Sequence, residues 1–73
     1  MRWERVVGLN IRRLREAQAI SQEAVAHEAG IDMRYLGGIE RGQENPTVAV
    51  VGRIAKVLGV HPGSLFNDPR TKS

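Results

Sequence analysis

The sequence predicts an all-α fold, a compact bundle of five short helices, and three observations lead to it. Apolar residues recur three and four positions apart, most clearly within residues 3–17 and 47–58, as they do along one side of a helix. Residues that favour helix ends stand between such stretches, with Ser21 and Asp32 at predicted starts and Gly30 at a predicted end. The chain has 73 residues and no cysteine, which suits one small domain without disulfides.

The first predicted helix covers residues 3–17. Four apolar residues at i, i+4, i+8 and i+11 form its inner stripe: Trp3, Val7, Ile11 and Leu14. We expect Trp3 to pack in the core or at its edge rather than to stack on a nucleic-acid base. Arg12 and Arg13 lie off this stripe and have two interpretations, a patch that contacts phosphates or an ordinary solvated helix face.

The stretch 21–42 predicts two short helices that meet at a tight turn. Ser21 can cap the first of them, and Gly30 stands where the chain needs a positive φ. Asp32 can cap the second, which runs from about residue 33 to residue 41. The inner positions of the pair are small or apolar: Val25, Ala26, Ala29, Ile31, Leu36 and Ile39. This spacing lets two helices cross closely at a steep angle and predicts a helix-turn-helix.

The charge of the chain favours a polyanionic partner but is unevenly distributed. The net charge is +3 and the isoelectric point is about 10.2. Residues 1–20 hold five arginines against two glutamates, whereas residues 21–45 hold two arginines against five acidic residues. Residues 46–73 are again net basic. The predicted helix-turn-helix is therefore acidic, so its contacts with DNA must depend on individual residues and helix ends, with general attraction supplied by the flanks.

Other functional classes have little support in the sequence. There is no cysteine, no phosphate-binding glycine loop and no pair of titratable residues at a catalytic spacing, so we expect neither an enzyme nor a cofactor. His27 and His61 are isolated, which argues against a metal site. The first residues lack the apolar run of a signal peptide, and no stretch approaches the ~20 apolar residues of a membrane span. We expect a cytoplasmic protein with no membrane partner and no small-molecule effector.

The segment QEAVAHEAGIDMRYLGGIERG, with the pattern that extends it to residues 7–66, resembles the Xre/Cro/phage-repressor helix-turn-helix family. In a short chain, YLGGIERGQENPT is most similar to the controller proteins of restriction-modification systems. The resemblance implies a sequence-specific transcriptional regulator that binds double-stranded DNA as a homodimer. Its operator would be pseudo-palindromic, with half-sites about 34 Å apart. The alternative is a protein-interaction module on the same scaffold, such as an antitoxin that covers a toxin.

The resemblance also implies tasks for three polar side chains. Arg15 and Glu40 are expected to form an ion pair that links the first helix to the third. Gln22, in the first turn of the second helix, is expected to hold its amide against a DNA phosphate, together with free backbone N–H groups. A solvated first-turn residue is the alternative for Gln22.

The predicted third helix offers base contacts near its start. Arg34 lies away from the inner face and can donate two hydrogen bonds to O6 and N7 of guanine. Met33 can only contact a thymine methyl group. Tyr35 lies at the flank and has two interpretations, a contact with a sugar or phosphate of the DNA or a cap on the edge of the core.

The end of this helix and the following turn carry further candidates for DNA contacts. Gly38 follows another glycine, and two glycines inside a helix cost roughly 2 kcal/mol relative to two alanines. Either the missing side chains let the helix backbone lie close to DNA, or the surrounding packing simply tolerates them. Arg41 and Asn45 are candidates for phosphate contacts, although both also suit an ordinary helix end and turn.

The predicted fourth helix, from residue 47 to residue 58, has two apolar stripes about 100° apart. We expect one stripe to face the core and the other to join a short fifth helix, residues 62–66, in a dimer interface. The predicted interface residues are Val50, Ile54, Val57, Leu65 and Phe66. The alternative is that these residues form a deep core in a monomer. We expect residues 1–67 to make one DNA-binding and dimerisation domain, with a flexible tail at 68–73.

Overall fold

The computed structural model describes residues 2–68, which form four α-helices and one 3₁₀ helix, with no strand in that range. The helices are α1 (Trp3–Ala17), α2 (Gln22–Ala29), α3 (Met33–Glu40), α4 (Val48–Leu58) and the 3₁₀ helix (Pro62–Phe66). The all-α prediction is confirmed, but the fifth element is not an α-helix. Its five residues include Gly63 and Ser64 and are too few to nucleate a stable α-helix, so it keeps the tighter form. Apart from Asp68, the predicted tail lies outside the described residues.

Helix starts follow from local capping side chains. Ser21 Oγ accepts a hydrogen bond from the Ala24 backbone N–H at 3.1 Å, and an Asp32 carboxylate oxygen accepts one from the Arg34 N–H at 2.7 Å. Thr47 closes the first turn of α4 in the same way, through its hydroxyl. Each bond satisfies a backbone N–H that has no partner within the helix. The predicted starts of α2 and α3 at Ser21 and Asp32 are therefore present.

All four α-helices end in the same hydrogen-bonded turn. In each, two successive N–H groups past the helix bond back to carbonyls in the last turn, the pattern of a Schellman motif. The residue at the left-handed position is Gly30 after α2, Gly42 after α3 and Gly59 after α4. After α1 it is Ala19, with φ 56°. Ala19 is the one non-glycine residue with positive φ in residues 2–68.

Replacing Ala19 with glycine is expected to stabilise the protein by about 0.5–1 kcal/mol. A non-glycine residue in this conformation costs about 1–2 kcal/mol, which exceeds the extra chain entropy of glycine. For a domain of this size the melting temperature should rise by about 2–8 °C, measured by thermal circular dichroism. The matched control is Gly30→Ala, whose Cβ would meet no atom within 4 Å, so only backbone strain should lower its melting temperature. An unchanged or lower melting temperature for Ala19→Gly would contradict this account.

All five elements contribute to the core, and three of the five residues predicted for the dimer interface are buried in it. Ile54 and Leu65 are fully buried within the single chain, and Val50 is also buried. They are covered because α1 and α2 pack on α4 from two sides and the 3₁₀ helix closes a third. The dimer interface is therefore wrong for these three residues, and the deep-core alternative holds for them. Val57 is half-buried, and Phe66 remains 45% exposed.

Two polar side chains, Asn10 in α1 and Gln18 just after its end, bind the C-terminal half of the chain. Asn10 Nδ2 donates to the backbone carbonyls of Leu65 and Asn67, both at 2.8 Å, and Gln18 Nε2 donates to the Leu58 carbonyl at 2.8 Å. These bonds satisfy carbonyls at the ends of the 3₁₀ helix and α4, where no further backbone partner follows. They attach the last two elements to α1.

Close approach between α1 and the end of α3 depends on Gly8, which is buried. A Cβ at this position would lie 2.1 Å from the carbonyl oxygen of Ile39 and 2.9 Å from that of Glu40. Only glycine lets the two backbones come this near. The contact with α1 is therefore one determinant of the position of α3, which also packs against α2.

Candidate nucleic-acid interface

The third helix presents one face away from the core. At 100° per residue, the buried side chains of Leu36, Ile39 and Glu40 share one side of α3. Arg34 and Gly38 lie on the opposite side, which we call the outer face of α3. The Arg34 side chain is exposed and makes no hydrogen bond or ion pair with any other described residue. Its guanidinium is thus available to donate two parallel hydrogen bonds to an external acceptor.

The structure contains the ion pair between Arg15 and Glu40. Arg15 Nε donates to Glu40 Oε2 at 2.7 Å, and Arg15 Nη2 donates to Glu40 Oε1 at 3.1 Å. Both side chains are mostly buried, with exposures of 13% and 3%. The hydrogen bond to Glu40 raises the pKa of Arg15 above its usual value against the opposing effect of burial, so the guanidinium stays protonated. A third bond, from Arg15 Nη1 to the Ile20 carbonyl at 3.0 Å, ties the pair to the connector before α2.

Gln22 extends this network to the start of α2. Its Nε2 donates to Glu40 Oε1 at 3.0 Å, so one carboxylate holds α1, α2 and α3 together. The predicted phosphate contact used the same amide. One of its N–H groups is now occupied, while the second N–H and the carbonyl oxygen have no partner among the described residues. Gln22 is therefore a positioning residue within the domain that retains polar atoms for a ligand.

The other residues near the start of α3 differ in exposure. Met33 is 49% exposed, as expected for a side chain available to a thymine methyl group. Tyr35 is half-buried and packs against the core cluster. Its placement agrees with the edge-of-core interpretation, while its exposed part flanks the outer face beside Arg34.

Gly37 and Gly38 are buried although neither faces the core, because later side chains lie across them. Arg41 Nη1 lies 3.2 Å from where a Cβ of Gly37 would be, and Glu44 Cγ lies 2.7 Å from where a Cβ of Gly38 would be. In the free protein, Gly38 is therefore covered by the Glu44 side chain and does not present bare backbone, and its contact with DNA stays a prediction. The sequence did not predict a role for Glu44. The only feature of the sequence that pointed to this contact was the pair of glycines, Gly37 and Gly38.

Arg41 and Asn45 flank this surface at the end of α3. Both are exposed, and Arg41 Nε donates to Gln43 Oε1 at 3.1 Å, which is a bond between two surface side chains. Asn45 precedes Pro46, which is buried. The structure thus places Arg41 and Gln22 beside Gly37, at the edge of the outer face of α3 that carries Arg34. The phosphate contact of Asn45 stays a prediction.

A second exposed surface is apolar. Trp3, Val48 and Phe66 are 39%, 85% and 45% exposed, and the rings of Trp3 and Phe66 lie 5.8 Å apart between centroids. Together with Pro46, Thr47 and Val51 they line a shallow groove. Trp3 therefore packs against Phe66 at the surface and is more exposed than a residue in the core. We call Trp3, Val48 and Phe66 the apolar patch.

Residues 2–68 contain no group of three or more histidine or acidic side chains that could hold a metal ion. The two histidines have different surroundings. His27 is exposed on α2, and His61 Nδ1 accepts a hydrogen bond from the Gly63 N–H at 3.0 Å. Within the same range, every helix is too short or too polar to cross a bilayer.

Comparison with known proteins identifies the fold and its family. Residues 11–65 match the family model described as helix-turn-helix. The chain is 40% identical over 60 residues to y4dJ, an uncharacterised HTH-type transcriptional regulator of Sinorhizobium fredii, covering 82% of this chain and 78% of that protein. It is 34% identical over 61 residues to the control protein C.BamHI of Bacillus amyloliquefaciens, covering 82% and 75% of the two chains.

Solved structures agree with the sequence relatives. The restriction-modification controller protein C.AhdI of Aeromonas hydrophila superposes with a TM-score of 0.83 at 38% identity, covering 86% of this chain and 96% of that one. The N-terminal DNA-binding domain of SinR from Bacillus subtilis gives a TM-score of 0.83 at 26% identity, covering 92% and 99%. This chain belongs to the helix-turn-helix family of the Xre and Cro type, whose members include restriction-modification controller proteins and phage repressors.

Proposed function

We propose that this protein is a sequence-specific transcriptional regulator that inserts α3 into the major groove of double-stranded DNA. The observation that carries the proposal is Arg34, whose exposed guanidinium lies on the outer face of α3 and pairs with no other residue in the described range 2–68. Arg15, Glu40 and Gln22 bind that helix to its two neighbours, so Arg34 projects from a fixed platform. A cation placed in this way can select guanine by a bidentate contact.

We also propose that the protein is a homodimer. A chain of this size buries only about 60% of the surface that its unfolded form exposes, and a two-fold operator needs two copies of α3. Of the residues predicted for the interface, Phe66 is accessible, and it adjoins Trp3 and Val48 in the apolar patch. Val57 is half-buried among Glu28, Arg53 and Lys56, which makes its surroundings more polar. The proposed dimer surface is therefore the apolar patch and not the stripe of α4 formed by Val50, Ile54 and Val57. We also propose that the protein is located in the cytoplasm, because the DNA that it would bind is genomic.

Substituting Arg34 with alanine should remove a guanine preference without unfolding the domain. One bidentate arginine contact discriminates by about 1–3 kcal/mol, or roughly 5- to 150-fold in relative affinity. The measurement is selection of bound duplexes from a randomised DNA pool at a stated salt concentration, with the wild type and the variant in parallel. The control is Arg53→Ala, which removes the same charge from an exposed position of α4 and should weaken binding equally for all sequences.

The expected result is a two-fold symmetric motif for the wild type and for Arg53→Ala, with one guanine position relaxed in each half-site for Arg34→Ala. If no motif is enriched and only salt-sensitive retention remains, the protein-interaction module becomes the better proposal. Sedimentation of the free protein gives an independent result: a clean dimer favours the regulator, and a monomer that associates with other proteins favours the module.

A further inference from the structure

The turn after α3 folds the chain back along the outer face of that helix. The Gly42 N–H donates to the Ile39 carbonyl at 3.0 Å, and the Gln43 N–H donates to the Gly38 carbonyl at 2.9 Å. These two bonds form a Schellman motif, in which Gly42 takes the left-handed conformation with φ 75°. Glu44, which follows the last residue of this motif, Gln43, consequently starts beside the helix rather than beyond it.

The backbone around Glu44 is held from both sides. A Cβ on Gly42 would lie 2.8 Å from Arg5 Cγ, so this part of the turn is packed directly against α1. Two residues after Glu44, Pro46 is buried. The backbone position from which the Glu44 side chain starts is therefore set by the fold.

The Glu44 side chain lies across Gly38. Its Cγ and Oε2 lie 2.7 Å and 3.0 Å from where a Cβ of Gly38 would be. Any larger residue at Gly38 would displace this side chain. Glu44 is nevertheless exposed, and its carboxylate makes no hydrogen bond or ion pair with another described residue. An exposed carboxylate without a partner is an unfavourable choice near DNA phosphates unless it meets a donor on the DNA.

We propose that Glu44 is a specificity-determining residue that accepts a hydrogen bond from the N4 amino group of a cytosine in the major groove. This inference rests on the proposed function, which brings the outer face of α3 into that groove. Guanine presents only acceptors there, as does thymine beside its methyl group, so a carboxylate disfavours both. Adenine offers one amino donor next to the acceptor N7, and cytosine offers its amino group without that neighbour. Glu44 therefore selects cytosine first and adenine second.

Arg34 determines where that cytosine lies. Arg34 and Gly38 are four residues apart on one face, a rise of about 6 Å along the helix axis. Successive base pairs are about 3.4 Å apart along the duplex. The cytosine read by Glu44 is thus within about two base pairs of the guanine read by Arg34, and Gly38 keeps the space above α3 open for the carboxylate.

The test compares duplexes selected by four proteins: the wild type, Glu44→Ala, Glu44→Gln and Gly38→Ala. Glu44→Ala should lose the cytosine preference by about 5- to 30-fold, because one hydrogen bond is lost rather than a bidentate pair. Glu44→Gln should shift the same position toward adenine, since an amide can pair with both N6 and N7. Gly38→Ala keeps the charge but displaces the side chain, so it should also relax that position.

The contrary result for Glu44→Ala is an unchanged motif with tighter binding to every duplex. Glu44 would then be only a repulsive charge, and the inference would be overturned while the proposed function stands. Arg34→Ala, run in the same selection, separates the two ideas, because its guanine position should relax whichever way Glu44 behaves. If the wild type enriches no motif, the proposed function fails, and the inference about Glu44 fails with it.

Discussion

Replacing Glu40 with alanine is expected to lower the free energy of unfolding by about 3 kcal/mol. The substitution leaves the Arg15 guanidinium largely buried with no carboxylate, and removing one partner of a buried pair costs about 3–5 kcal/mol. It also removes the acceptor of the Gln22 amide, so α1, α2 and α3 lose their common link. Because Arg15 keeps its bond to the Ile20 carbonyl, we expect the lower end of that range.

The measurement is thermal or urea unfolding of the isolated protein, where each 1 kcal/mol shifts the melting temperature by about 4–8 °C. The matched control is Glu16→Ala, which removes an exposed carboxylate that pairs with Arg12 at 3.2 Å. That pair is exposed on both sides, so its loss should cost less than about 0.5 kcal/mol. Equal melting temperatures for the two variants would show that the buried network contributes no more than a surface pair.

Replacing Gly8 with alanine should destabilise the domain by about 2 kcal/mol, although glycine to alanine inside a helix normally stabilises it by about 1 kcal/mol. The new methyl group would lie 2.1 Å from the Ile39 carbonyl oxygen, a distance that forces the backbones apart. Overpacking of this kind typically costs about 1–3 kcal/mol. Since neither backbone can move aside as a flexible side chain would, α3 must shift relative to α1.

The matched control is Gly52→Ala in α4, where the new Cβ would meet no atom within 4 Å. This variant should gain about 1 kcal/mol from helix propensity alone. The two substitutions are chemically identical and are expected to change the unfolding free energy in opposite directions. A stabilised Gly8→Ala would refute the close crossing of α1 and α3. For the destabilised variant we also expect weaker selection of specific duplexes, because the displaced helix carries Arg34.

Helix identity and helix ends were predictable because their causes lie within a few residues. Ser21 and Asp32 bind N–H groups two or three positions away, and Gly30 adopts a conformation that its own missing Cβ permits. The stripe of α1 follows in the same way from the 3.6-residue period. The fifth element was predicted in place but not in type, since its short length favours the 3₁₀ form.

The candidate site was only partly predictable. Arg34 could be chosen from sequence because the inner face of α3 is apolar and the remaining side faces outward. The pair of Arg15 and Glu40 came from family resemblance, since nothing in the local sequence brings together residues separated by 25 positions. Glu44 was missed, because its importance arises only when the turn after α3 returns it to Gly38.

The sequence by itself determined that this is a small helical domain with a helix-turn-helix, because periodicity, caps and turn glycines act over one or two helical turns. Only the tertiary structure decided which of the apolar residues predicted on the surface belong to the core. The sequence shows that α4 has a second apolar stripe, but only the packing of α1, α2 and the 3₁₀ helix shows that Val50 and Ile54 of this stripe are buried within one chain. It also decided that Gly8 is a contact point and that Gly38 lies beneath a carboxylate. These properties depend on distances between segments remote in sequence, which local patterns do not contain.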